Sequence, residues 1–145
     1  MRLQIGLYAT CMIAITLGFS LYSTPVMGGS TVLEPPAEPA AMCTQPNSGA
    51  KAVDPATTSI SVTFDRPMKD KSWSWAYENK ESFPETTGDP SYNADFTINT
   101  LPVKLKPNTT YVIWINTSKL TGFRSKSDVP ATPYKLTFTT GPASK

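Results

Sequence analysis

Three aromatic side chains recur at every second position in residues 72–77, which read SWSWAY. If this stretch is a strand, Trp73, Trp75 and Tyr77 project from one face. On an exposed face they could stack on sugar rings, whereas on the inner face they belong to a core. A core position for at least one tryptophan is favoured, because a buried tryptophan is typical of β-sandwiches. These three residues are the candidate ligand-binding residues.

Groups that could carry catalysis are sparse. The chain has no histidine, the commonest general base and a common zinc ligand. No G-x-S-x-G turn is present to expose a serine nucleophile. Four aspartates could in principle hold calcium, but they do not form a compact ligand loop: Asp65, Asp70, Asp89 and Asp95. The sequence therefore predicts no catalytic residue, no metal site and no cofactor, and indicates a protein that is not an enzyme.

The composition indicates one β-rich domain. The 145 residues carry a net charge of only +2 and no basic run, so nucleic-acid binding is not expected. Fourteen prolines are spread through the chain, and no long window has helical periodicity. This pattern favours short strands joined by turns.

The first residues differ from the rest. No residue between 5 and 22 is charged, which predicts a secretory signal peptide over residues 1–28; an uncleaved membrane anchor is the alternative. Residues 29–48 are rich in proline and alanine and are predicted to form a linker. Cys11 lies in the apolar run, so Cys43 is expected to be a reactive thiol in this linker or to pair with another chain. The predicted location is secreted, periplasmic or in the cell envelope.

Apolar and polar residues alternate through much of residues 49–141, with residues 142–145 as a tail. The alternating runs lie at residues 59–64, 72–77, 96–98, 101–105, 111–116 and 134–139. Alternation of period two is typical of antiparallel strands with one face on a core. About seven such strands predict an immunoglobulin-like antiparallel β-sandwich. Pro102 lacks a backbone donor, so its strand is predicted to be an edge or to begin after it.

The stretch LKPNTTY, residues 105–111, predicts a tyrosine corner. In such a corner, a tyrosine at the start of a strand sends its hydroxyl back to the backbone a few residues upstream. Pro107 presets φ for the turn and Asn108 tolerates a left-handed conformation. Leu105 is expected to fill the core before the corner. The predicted role of Tyr111 is therefore structural.

Three motifs in chain order resemble the bacterial Ig-like domain first described in S-layer proteins. The first ends a strand and enters a polar loop at Phe64, Asp65, Arg66, Pro67 and Met68. The second is the corner at Leu105, Pro107, Asn108 and Tyr111. The third is the closing strand with Tyr134, Leu136, Phe138 and Thr140.

The resemblance covers about residues 46–141, and fibronectin type III domains share the corner. It implies a non-catalytic structural, adhesive or protein-interaction module. The expected partner is another envelope protein or a polysaccharide, and a membrane only if the N-terminal segment stays uncleaved. The alternative function is a carbohydrate-binding module that uses Trp73, Trp75 and Tyr77.

Overall fold

The computed structural model describes residues 36–143, which fold into two antiparallel sheets packed face to face. The strands are β1 (Ala41–Gln45), β2 (Ser59–Phe64), β3 (Trp75–Ala76), β4 (Glu85–Thr86), β5 (Ser91–Tyr92), β6 (Ile98–Lys104), β7 (Thr110–Ile115) and β8 (Tyr134–Thr139). The only helical element in this range is a single 3-10 turn at Lys80–Ser82, so no helix of the described residues is long and apolar enough to cross a membrane. The predicted all-β sandwich is confirmed.

The two sheets differ in size. The larger sheet has the order β1–β2–β6, and both β4 and β5 pair with the far side of β6. The smaller sheet has the order β3–β7–β8. β7 is thus the central strand of its sheet, and its outward apolar residues Val112 and Trp114 are half-buried.

The core lies between the sheets and is formed by the inward positions of the alternating strands. Its fully or almost fully buried side chains are Ile60, Val62, Phe64, Met68, Leu101, Val103, Leu105, Tyr111, Ile113, Ile115, Phe123, Leu136 and Phe138. Tyr134 is half-buried and packs against this core. Hydrophobic burial of this set supplies the main driving force for folding.

The chain forms the corner that residues 105–111 predict. The Tyr111 hydroxyl accepts a hydrogen bond from the backbone N–H of Lys106 at 2.8 Å. Asn108 adopts φ +47°, in the left-handed region. Pro107 is exposed in the turn, while Leu105 and Tyr111 are buried.

Replacing Tyr111 by phenylalanine removes only this hydroxyl. The Lys106 N–H then loses its partner, and we expect the free energy of unfolding to fall by about 1–3 kcal/mol. A urea denaturation curve measures the loss. Tyr77→Phe is the control, because Tyr77 is 55% exposed and should tolerate the change. Equal midpoints for both variants and the wild type would show that the hydroxyl has no stabilising role.

The predicted linker is wrong in part, because the compact unit begins at Pro36 instead of residue 49. Residues Ala41–Gln45 pair with β2, with Cys43 opposite Thr63. Pro39 is fully buried. Backbone groups of β2 offer hydrogen bonds to any neighbouring extended segment, so a strand forms here without a strong alternating pattern. Residues 1–28, predicted as signal peptide or anchor, and residues 29–35 lie outside the described residues.

The predicted position of Cys43 in a linker is wrong for the same reason. Its backbone belongs to β1 instead of a linker. No cysteine among the described residues is free. A freely reactive thiol at this position is therefore not what the structure shows.

The prediction that the strand of Pro102 is an edge strand or begins after it is also wrong. Pro102 lies inside β6, which is not an edge strand. Pro102 lies opposite Ser59, and the N–H of the next residue, Val103, donates to the Thr58 carbonyl just before β2 begins. The ring nitrogen of Pro102 therefore faces the other side of β6. On that side the Pro102 carbonyl accepts a hydrogen bond from Thr87 N–H just after β4 ends, and the chain then leaves β6 until β5 begins.

The chain enters and leaves the sandwich at opposite ends. At the entry, the Pro39 carbonyl accepts a hydrogen bond from Thr132 N–H, just before β8 starts. At the exit, the Gly141 carbonyl accepts one from Asn108 N–H, just after β8 ends. The six residues of β8 separate the two ends by roughly 20 Å, at about 3.3 Å per residue.

After β1 the chain changes sheets and covers the free edge of β8. Gly49 N–H donates to Thr137 O, and Thr139 N–H donates to Ala50 O. Val53 N–H donates to Thr139 O and its carbonyl accepts from Gly141 N–H, in a parallel bridge with Thr140. We refer to residues 49–53 beside 137–141 as the parallel patch.

Candidate binding cleft

One side of the sandwich is open because its edge strands are short. β3 ends the smaller sheet there, and β4 and β5 end the larger one, each with only two residues. Between them lies a cleft of about 320 Å³. Its apolar walls are Trp73, Trp75, Phe83, Pro90 and Leu101, and its polar lining is Ser74, Thr86 and Asp89. We refer to this space as the edge cleft.

Trp73 forms one wall of the edge cleft, and Tyr92 supports it. Its ring centroid lies 6.4 Å from that of Tyr92. The Tyr92 hydroxyl donates to the Ser72 carbonyl at 2.8 Å, which fixes the backbone just before Trp73. Burial raises the pKa of the Tyr92 hydroxyl, and the nearby Asp70 carboxylate raises it further. The phenol therefore stays protonated and remains a donor.

Trp75 is anchored in the core. Its indole N–H donates to the Asn99 side-chain oxygen at 2.8 Å, and its ring meets Phe123 edge-on at 5.5 Å. Asn99 is fully buried. Its amide nitrogen has no hydrogen-bond partner among the described residues. Trp75 is thus a core residue that also presents part of its surface to the edge cleft.

The loop after β7 supports both tryptophans. Asn116 is fully buried at φ +60°, and its side-chain nitrogen donates to the carbonyls of Phe123 and Ala131, each at 2.9 Å. Its side-chain oxygen accepts from Phe123 N–H at 2.9 Å. Gly122 lies directly against the Trp73 carbonyl, and the Ser72 hydroxyl donates to the Gly122 carbonyl. Neither role was predicted from the sequence, although an Asn directly after a buried strand was a visible signal.

Tyr77 does not join the two tryptophans in one platform. Its ring lies 5.6 Å from Phe83 and lines a second cleft of about 390 Å³, together with Lys80, Glu81 and Lys106. Phe83 and Thr86 line both clefts. The predicted single platform of three residues is therefore replaced by two adjoining clefts.

The third tryptophan lies elsewhere, on β7. The Trp114 indole N–H donates to Glu78 at 3.1 Å, and Lys135 sits over its ring at 5.4 Å. The hydrogen bonds from Lys135 and Trp114 hold the pKa of the Glu78 carboxyl below its usual range. Trp114 lines neither cleft.

The four aspartates considered for calcium are scattered. Asp65 forms a bidentate pair with Arg66, whose guanidinium lowers the pKa of the Asp65 carboxyl. Asp89 lines the edge cleft, and Asp70 lies near Tyr92. Within residues 36–143, no group of three or more acidic or cysteine side chains is placed to hold a metal ion.

The fold defines an immunoglobulin-like sandwich with an open aromatic edge. Residues 36–140 match the family described as "Bacterial Ig-like domain", and the chain belongs to that family. The match begins where the compact unit begins, and it confirms the resemblance drawn from the three motifs.

Two solved structures of surface-layer proteins are similar to this chain at low identity. The structure titled "Crystal structure of the S-layer protein rSbsC(31-844)" is 18% identical, has a TM-score of 0.46, and is matched over 72% of this chain. The structure titled "Structure of surface layer protein SbsC, domains 1-6" is 17% identical, with a TM-score of 0.47 over 73% of this chain. The chain spans only 14% of the length of each. No curated protein matches the sequence.

Proposed function

We propose that this protein is a non-catalytic structural module of the bacterial cell surface. Its role is to span a fixed distance and to carry load between its two ends. The observation that carries the proposal is the entry and exit of the chain at opposite ends of one sandwich, joined through the parallel patch. The bacterial Ig-like family supports the placement outside the cytoplasm.

The entry end is clamped to the domain. The Ala40 N–H donates to the Asp65 carboxylate at 3.1 Å, and the Arg66 guanidinium donates to the Ala37 carbonyl at 2.7 Å. The Thr132 hydroxyl also donates to Glu38 at 3.0 Å. These contacts fix the segment before β1 to the domain. Tension applied to this segment is therefore transmitted directly to the sheet.

The parallel patch is arranged to resist that pull. Its two segments run in the same direction, and its hydrogen bonds lie across the strands. Tension between the chain ends slides one segment along the other, so the four bonds share the load and must break together. Bonds that open one after another, as in peeling, resist much less.

The available chemistry supports a role without catalysis. The chain has no histidine. The carboxylates with lowered pKa, Asp65, Glu78 and Asp128, are explained by hydrogen bonds from Arg66, Lys135 and Lys69 in surface pairs. Lowered values in surface pairs are typical of structural ion pairs.

Single-molecule force spectroscopy of the full chain, held between two marker domains, tests the load-bearing role. Thr139→Pro removes the N–H that donates to Ala50 O, and we expect a clearly lower unfolding force. Thr139→Val keeps this N–H and should unfold at the wild-type force.

Tyr111→Phe provides a second control, since it lowers equilibrium stability without removing any of the four hydrogen bonds of the parallel patch. We expect Thr139→Pro to lower the unfolding force more than Tyr111→Phe does at a similar loss of unfolding free energy. If the unfolding force of each variant fell only in proportion to its loss of unfolding free energy, the load-bearing role would be contradicted.

A further inference from the structure

We infer that the edge cleft binds an uncharged glycan chain of β-linked pyranoses, whose rings lie against Trp73 and Trp75. This inference goes beyond the structural role and does not depend on it. It rests on four features of the edge cleft: its ordered aromatic walls, its polar rim, its charge and the short strands that border it.

The aromatic walls are fixed before any ligand arrives. Trp75 is held by its hydrogen bond to Asn99, and the backbone at Trp73 is held by Tyr92 and the loop around Gly122. A ligand therefore has little side-chain entropy to remove on binding. A pyranose with equatorial hydroxyls presents a flat C–H face, which suits the apolar face of an indole ring.

The polar rim matches the edge of the same ring. Ser74 and Thr86 carry hydroxyl groups, and Asp89 carries an exposed carboxylate on the other side of the cleft. No ion pair of the described residues engages Asp89. A carboxylate has two oxygens and can accept from two neighbouring sugar hydroxyls. Such charge-assisted bonds are stronger than neutral ones.

The charge of the lining favours an uncharged sugar. Asp89 is the single charged residue among the described residues that line the edge cleft. It would repel uronic acids, phosphates and other anionic groups. The volume of about 320 Å³ falls within the range of small-ligand sites, which start near 300 Å³.

The strands beside the cleft disfavour an extended peptide. A peptide that adds to a sheet edge binds through a row of main-chain hydrogen bonds. β3 offers only two residues, and the opposite edge is broken between β4 and β5 by Gly88 and Pro90. Pro90 also has no N–H to donate. A ligand at this edge must therefore be bound by side chains, as a glycan would be.

The adjoining cleft extends the surface along the same side of the sandwich. Phe83 and Thr86 are shared by both clefts, and Tyr77 lies beyond them. A linear chain of several sugars could continue from the tryptophans towards Tyr77. We therefore expect a hexasaccharide to bind more tightly than a disaccharide.

Fluorescence titration of the full chain tests the inference. The background variant is Trp114→Phe, so that emission reports on Trp73 and Trp75 alone. The probes are cellohexaose, chitohexaose and mannohexaose, with cellobiose for the length comparison. We expect a saturable change in emission with at least one hexasaccharide.

Rim variants show whether binding occurs in the edge cleft. Asp89→Ala should weaken binding about tenfold, which corresponds to the loss of a hydrogen bond to a charged group. Asp95→Ala removes an exposed carboxylate that does not line the cleft and should leave binding unchanged. Both aspartates are exposed, so neither change should disturb the fold.

Three outcomes would overturn the inference: no saturable change with any hexasaccharide, unchanged binding by Asp89→Ala, or equal losses for Asp89→Ala and Asp95→Ala. Saturation by an extended proline-rich peptide instead of the glycans would assign the cleft to a protein partner. None of these outcomes affects the unfolding force, so the structural role is judged separately.

Discussion

Asn116→Asp is expected to lower the free energy of unfolding by about 3–5 kcal/mol, the largest loss of any single change considered. The substitution keeps the size and shape of the side chain but replaces its two N–H donors by an oxygen. The carbonyls of Phe123 and Ala131 then lose their partner and face a carboxylate. Small domains have only about 5–15 kcal/mol of stability in total, so the domain should be close to unfolding.

The loss should depend on pH in a defined direction. Burial and the two facing carbonyls would raise the pKa of the new carboxyl in the folded state above its unfolded value. A group with a raised folded pKa favours the folded state less as pH rises. Urea denaturation should therefore show a smaller loss near about pH 4 than near about pH 7.

Asn108→Asp is the matched control for Asn116→Asp. Asn108 also adopts a left-handed conformation, which Asp tolerates about as well as Asn, but its side chain is exposed. We expect a change within about 0.5 kcal/mol. Similar losses at both positions would mean that the three hydrogen bonds of Asn116 do not hold the loop.

Gly122→Ala is expected to destabilise the domain by about 2–3 kcal/mol through overpacking. A Cβ atom at residue 122 would overlap the Trp73 carbonyl oxygen and lie 2.7 Å from the carbonyl carbon. Backbone atoms cannot rotate away as a flexible side chain can, so the segment carrying Trp73 must shift. Urea denaturation measures the stability, and the tryptophan emission of the Trp114→Phe background reports the shift.

Gly88→Ala is the matched control on the opposite side of the edge cleft. Its added Cβ would meet only Pro102 side-chain atoms, at 3.5 Å and beyond, which is ordinary contact. We expect unchanged or slightly higher stability, since alanine restricts the unfolded chain more than glycine does. If Gly122→Ala is as stable as Gly88→Ala and its emission is unchanged, Gly122 does not position Trp73.

The sequence by itself determined the sheet content and the inward faces of the main strands. Alternation at residues 59–64, 111–115 and 134–139 specified β2, β7 and β8, because a period of two matches the pleat of a strand. The corner at Tyr111 was also readable, since its turn is made by residues close together in the chain. Such local features need no knowledge of distant partners.

Tertiary structure decided the features that depend on partners distant in sequence. β1 exists because β2 offers its edge, and Pro102 is tolerated within β6 because the neighbouring edge is broken there. The separation of Tyr77 from the two tryptophans follows from the position of Phe83, which comes from another segment. The supporting roles of Asn116 and Gly122 arise where the loop after β7 meets Phe123, Ala131 and Trp73. Hydrogen bonds and steric contacts across such separations leave no periodic trace in the sequence, because they depend on which backbone atoms meet after folding.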